Sequence, residues 1–156
     1  MILVLLGTNP YSFSRLARAM DEYAKASGKE VFIQLGNTAD FAPTTAGYER
    51  FLGKKELLEI VREAEVIVTQ GGFGSVADCL LAGKRVVAVP RKPELGEAPD
   101  DQEELVRELE RVGRVTGVYD IGELPSAILG AEAKAVVAGT PSRIPGLIAR
   151  FIEENK

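Results

Sequence analysis

The chain opens on MILVLLGTNP, where an unbroken apolar run from Met1 to Leu6 is closed by Gly7 and Pro10. A continuous run, as opposed to an alternating one, predicts a strand covered on both faces, as in a parallel sheet. After it, Phe13, Leu16, Ala17, Met20 and Ala24 recur at helical spacing up to a stop at Gly28, which predicts a helix. EVFIQLG predicts a second strand. From Asn37 to Gly53 no period is sustained and Pro43 and Gly47 interrupt the chain, which predicts a long loop of the kind that often carries function.

Further on, the pattern predicts a helix over about Lys54 to Ala64, a strand from Val66 to Thr69, a helix from Ser75 to Ala82 stopped by Gly83, and a strand from Arg85 to Val89. DDQEELVRELERVG is strongly helical, with Asp100 placed to cap it and Glu103 three residues on, as in a capping box. A short strand near Thr116 to Tyr119, a helix around Leu124 to Leu129 and a last helix near Pro145 to Glu154 complete the series. Strands alternating with helices, the strands nearly all apolar, predict an α/β, Rossmann-like doubly wound parallel sheet. Ligands in such sheets sit beyond the carboxyl ends of the strands. With 156 residues and no repeat or linker, residues 1–156 are expected to form one domain.

Composition narrows the function classes. A net charge of -4 supplies no basic field for nucleic acid or an anionic membrane. The longest apolar run is far short of the roughly 20 residues that span a bilayer, so a cytoplasmic protein is expected. One cysteine, Cys79, makes no internal disulfide and is expected in the core. Histidine is absent altogether, which removes Ser-His-Asp and Cys-His catalysis and most zinc chemistry; proton transfer by this chain alone would fall to a carboxylate.

The candidate chemistry lies in TQGGFGSVADCLLAG, which leaves a strand and opens a helix. The N–H groups of Gly74, Ser75 and Val76 would face the ligand crevice, where a helix N-terminus attracts phosphate, and the Ser75 hydroxyl adds a further donor. Neither a Walker loop nor the third glycine of a dinucleotide fingerprint is present. The same residues also fit a plain tight turn with Ser75 as the helix cap. Asp78, three residues beyond Ser75, shares its face and could hold a ribose; it also fits a carboxylate answering the helix dipole. In PRKPELGEAPDDQEEL, a cluster including Arg91, Lys92, Glu97, Asp101, Gln102 and Glu103 suits a polyhydroxylated sugar, and equally a solvated loop with a capping box.

From VLLGT through FSRL, FIQLG, YERFL and VTQGGFGSVADCLLAGKRVVAVPRKPELGEAPDDQEEL, the sequence resembles the family 28 glycosyltransferases. The likeness is to their carboxyl-terminal, donor-binding half, including small stand-alone subunits. Such subunits include the catalytic subunit of the two-part UDP-N-acetylglucosamine transferase of dolichol-linked oligosaccharide synthesis and PssE-type glucuronosyltransferase subunits; MurG is the fused relative. The resemblance implies half of a GT-B fold and a UDP-sugar site in which Gly72, Gly74 and Ser75 meet the diphosphate. It also puts Asp78 on the ribose, in place of the family's usual glutamate, Gln102 and Glu103 on the transferred sugar, and Gly7 and Thr8 in the first loop facing the cleft. The family often carries histidine where this chain has Gln70, Ala98 and Gln102.

The resemblance further implies inverting transfer of N-acetylglucosamine or glucuronate from a UDP-sugar to a lipid-linked acceptor, with no metal and no cofactor. A membrane-associated acceptor-binding subunit would be the partner, would supply the base, and would recruit the chain to the cytoplasmic face of the membrane. The loops near Gly7, Asn37 to Phe51 and Pro90 to Pro99 would be partly covered by it. Two other readings stay open. One is a non-catalytic module that binds a nucleotide-sugar or regulates an assembly; the other is a nucleotide-sugar 2-epimerase, which uses a related fold but needs both halves.

Overall fold

A computed structural model describes residues 1–134 of the chain. The helix expected near Pro145 to Glu154 lies outside these residues. Six strands form one parallel sheet: β1 (Ile2–Leu5), β2 (Val31–Gln34), β3 (Gly47–Glu49), β4 (Val66–Gln70), β5 (Arg85–Val89) and β6 (Thr116–Gly117), in the order β3-β2-β1-β4-β5-β6. The helices are α1 (Ser14–Ser27), α2 (Lys54–Glu63), α3 (Phe73–Leu81), α4 (Glu103–Arg111) and α5 (Leu124–Ala133).

Alternate residues of the apolar strands feed two cores. Ile2, Val4 and Leu6 pack with Leu16 and Met20 of α1 and Ile128 of α5 on one face. Leu3 and Leu5 pack with Val61 of α2, Val76 and Cys79 of α3, and Leu109 of α4 on the other. Helices therefore cover both faces, which is why the strands read as unbroken apolar runs. Cys79 is buried as expected, and burial pushes its thiol up to about 12, so it serves packing and not nucleophilic chemistry. The doubly wound parallel fold inferred from the sequence is the fold observed.

Several features differ from expectation. Strand β3 lies inside the expected long loop and pairs Phe32 with Gly47 through Gln34 with Glu49. All three of its residues are exposed, and an edge strand that buries nothing leaves no apolar pattern to find. Helix α3 starts at Phe73, two residues early, with Gly72 at the N-cap and no side-chain cap. Ser75 is therefore not the cap, and the Val76 N–H is spent on the Gly72 carbonyl at 3.1 Å. The donors ahead of the first intrahelical bond include those of Gly74 and Ser75. In α4 the expected capping box is absent: Asp101, not Asp100, accepts the Glu103 N–H at 2.8 Å, and the Glu103 carboxylate turns forward to Arg107.

Candidate functional site

In this strand order the chain winds from β1 toward β2 and β3, then returns across the sheet to β4, β5 and β6. The carboxyl ends of β1 and β4 adjoin at that reversal, where doubly wound sheets open a crevice. Strand β1 runs into Gly7 and Thr8, β4 into the turn from Gly71 to Gly74, and β5 into the loop carrying Arg91, Glu97 and Gln102.

Gln70, the last residue of β4 and 7% exposed, ties these loops together. A Cβ at either Gly7 or Gly72 would fall 2.6 Å from its Nε2, so both backbones approach this amide more closely than any larger residue permits. Nε2 donates to the Ser75 hydroxyl at 3.3 Å. Oε1 accepts from Arg91 Nε at 2.9 Å and from Gln102 Nε2 at 3.2 Å. Gln102 Oε1 in turn accepts the Arg91 backbone N–H at 3.0 Å.

Behind Gln70 sits Arg91, 2% exposed. Its guanidinium donates to the carbonyls of Leu6 at 2.6 Å, Tyr11 at 2.9 Å and Glu97 at 2.9 Å, and lies 4.8 Å from the centroid of the Phe13 ring. Burial lowers its pKa to about 10, against the pull of the Glu97 charge, so it stays protonated at neutral pH. Its partners are carbonyls and an amide. The Glu97 carboxylate, itself 5% exposed, is committed to Arg15 through two bonds of 3.0 Å and to the Lys92 N–H at 2.9 Å. Arg91 and Glu97 thus turn into the protein, which corrects the reading of them as part of a sugar-facing cluster.

A second amide flanks the first loop from the other side. Gln34 ends β2, is 6% exposed, accepts the Gly7 N–H at 3.0 Å, and donates to the carbonyls of Gly7 and Arg50, each at 3.0 Å. Two carboxamides, one on each neighbouring strand, therefore set the backbone of the loop after β1.

Gly7, Gly72, Ser75 and Gln102 all meet Gln70, and Gly74 lies on the same turn. Asp78 is exposed one helical turn beyond Ser75. Thr8 is exposed beside Gly7, its carbonyl accepting from Asn37 at 3.1 Å. Glu103 follows Gln102, but its carboxylate is held by Arg107 at 3.0 Å, on the rim of a cavity of about 290 Å³ lined also by Lys92, Asp101 and Tyr119. Sequence reasoning missed Gln34 and the central place of Gln70. The available signal was a glutamine closing an apolar strand, where a buried polar group must find partners.

The family model for the glycosyltransferase family 28 C-terminal domain matches residues 1–137. Among solved structures, the glycotransferase of kitacinnamycin aligns with a TM-score of 0.67 at 18% identity, over 97% of this chain and 39% of that one. MurG of Acinetobacter baumannii aligns with a TM-score of 0.55 at 18% identity, over 83% of this chain and 41% of that one. The chain thus spans about two fifths of each. The FMN-dependent cysteine decarboxylase TvaF from thioviridamide biosynthesis aligns with a TM-score of 0.51 at 15% identity, over 85% of this chain and 98% of that one. Likeness at such identities concerns the fold alone, and one fold here carries different chemistries. No curated protein matches the sequence.

Proposed function

Since the chain belongs to the family of glycosyltransferase family 28 C-terminal domains, we propose that it binds the UDP-sugar donor of an inverting glycosyltransferase whose acceptor half is a separate subunit. The observation that carries this reading is the convergence of the Gly7 loop, the Gly72 to Ser75 turn and Gln102 on one crevice at the head of α3. The helix N-terminus offers N–H groups and a positive dipole end to a diphosphate, and the Ser75 hydroxyl adds a donor. Asp78, one turn on, accepts the ribose hydroxyls, and Gln102 has a second amide N–H for the sugar beyond its bond to Gln70.

In the reaction, the acceptor hydroxyl attacks the anomeric carbon as its bond to the diphosphate oxygen breaks, and UDP leaves with the electron pair. The hydroxyl proton passes to a base on the partner. Charge developing on the departing diphosphate is met by the α3 backbone donors, so the reading calls for no metal and no cofactor. N-acetylglucosamine or glucuronate is the sugar, and a lipid-linked chain the acceptor. Among the described residues no helix is long and apolar enough to cross a membrane. On this reading, a membrane-associated acceptor-binding partner holds the chain at the cytoplasmic face. Tyr48 on the edge strand β3 and Phe51 after it are 40% and 54% exposed, and suit such a partner's contact surface.

Calorimetric titration with UDP, UDP-N-acetylglucosamine, UDP-glucuronate and, as a control, ADP tests this. Saturable binding that prefers uridine is expected, and a folded chain that binds none of the four removes the reading. Ser75→Ala and Asp78→Ala are each expected to weaken UDP binding about tenfold, the effect of one hydrogen bond to a charged or strongly polar group. Wild-type affinity in both variants would show that the nucleotide sits elsewhere. Binding without turnover in the presence of the acceptor subunit would favour a non-catalytic nucleotide-sugar-binding module.

A further inference from the structure

The orientation of the Gln70 amide is fixed by a group that can act in only one way. Arg91 Nε carries a proton and no lone pair, so the atom 2.9 Å away must be the Gln70 oxygen. The Arg91 backbone N–H likewise forces the Gln102 oxygen toward itself at 3.0 Å, which leaves the Gln102 nitrogen to donate to the same Gln70 oxygen at 3.2 Å. Gln70 Oε1 thus receives two donors and Nε2 faces Ser75. Because the Ser75 oxygen accepts from Nε2, its own proton is not used in that contact and is left for another acceptor.

We propose that Arg91 and Gln70 are positioning residues that set the Ser75 hydroxyl as a donor to the phosphate of the bound nucleotide. The inference rests on the donor-site reading above and names the residues that prepare it. The chain of donors runs in one direction, from guanidinium to amide oxygen, from amide nitrogen to hydroxyl oxygen, and from hydroxyl to phosphate. Each bond polarises the next, and Arg91 starts it with a buried charge that is bonded to no carboxylate. The same network gives Gln70 a reason to occupy a place where the bulk of a larger or branched side chain would press on Gly7 and Gly72.

The test is a double-mutant cycle on UDP and uridine affinity with Gln70→Glu and Ser75→Ala. A carboxylate at position 70 still accepts from Arg91 and Gln102 but cannot donate to Ser75, so the Ser75 proton turns inward to it. Gln70→Glu is expected to weaken UDP at least tenfold and leave uridine, which has no phosphate, within about twofold. Adding Ser75→Ala to Gln70→Glu should then cost less than twofold, although it costs about tenfold in the wild type. Gln70→Met, which carries no charge and cannot donate, repeats the cycle if the glutamate variant does not fold. With no strong acceptor at position 70 to draw the Ser75 proton inward, a smaller non-additivity of the same sign is expected, the cost of Ser75→Ala falling below its roughly tenfold wild-type value. Additive losses, or an equal loss of uridine, would overturn the relay while leaving the donor site standing. A wild-type chain that binds uridine nucleotides not at all would overturn both.

Discussion

Arg91→Met should lower the free energy of unfolding by about 3–5 kcal/mol, read from the urea midpoint at neutral pH. The methionine fills much of the same space, so the loss comes from the acceptors left behind. The carbonyls of Leu6 and Glu97 each lose a donor inside the protein, the Tyr11 carbonyl loses one at a partly buried place, and Gln70 Oε1 keeps only Gln102. A buried acceptor stranded this way costs on the order of 1–3 kcal/mol, and removing one member of a buried charged network typically costs more than the network contributed. Arg91→Lys keeps the charge but cannot span carbonyls from the loop after β1 and the loop after β5 together with an amide on β4, so an intermediate loss is expected. A change below about 1 kcal/mol in the methionine variant would mean that water replaces the guanidinium. The three loops would then be held by other bonds.

The residues that were legible from sequence and those that were not divide along a physical line. Continuous apolar strands and the helical recurrence in α1 follow directly from burial on both faces of a parallel sheet, and they gave the fold and the place of the crevice. The glycine turn was legible as a turn between a strand and a helix, but its use was not, because the same residues fit a plain tight turn. What stayed hidden was long-range polar pairing. Arg91 reaches Leu6 across the sheet, and nothing in a loop rich in charge tells which charges turn inward. Gln34 and Gln70 look like ordinary polar strand ends until their partners, Gly7 and Arg91, are seen beside them. The edge strand β3 and the true start of α3 were missed for a related reason: an exposed strand and an uncapped helix leave no side-chain signature.

The same dependence on distant polar partners gives the second large effect, at Asp21. This carboxylate of α1 is 8% exposed and accepts the backbone N–H groups of Thr44 at 3.1 Å, Thr45 at 2.9 Å and Ala46 at 2.8 Å, with the Thr44 hydroxyl at 3.2 Å. It thereby fixes the segment that leads into the amino end of β3. Burial by itself would raise its pKa, but the donors of Ala46, Thr44 and Thr45 outweigh burial and hold it below its ordinary value of 3.8. Asp21→Ala leaves those N–H groups without their acceptor and is expected to cost about 2–4 kcal/mol at pH 7. Since the folded-state pKa lies below the unfolded one, the stabilisation is complete above the unfolded value near 3.8 and is lost as the pH falls through the folded value. The gap in unfolding free energy between wild type and Asp21→Ala should therefore be constant from pH 7 to about 5 and narrow below about 4. Other carboxylates with depressed pKa values, such as Asp40 bonded to Ser12, are present in both proteins and cancel in the difference. A gap that stays constant into the acid range would show that Asp21 acts through packing alone and that its charge is not what gathers the three backbone amides.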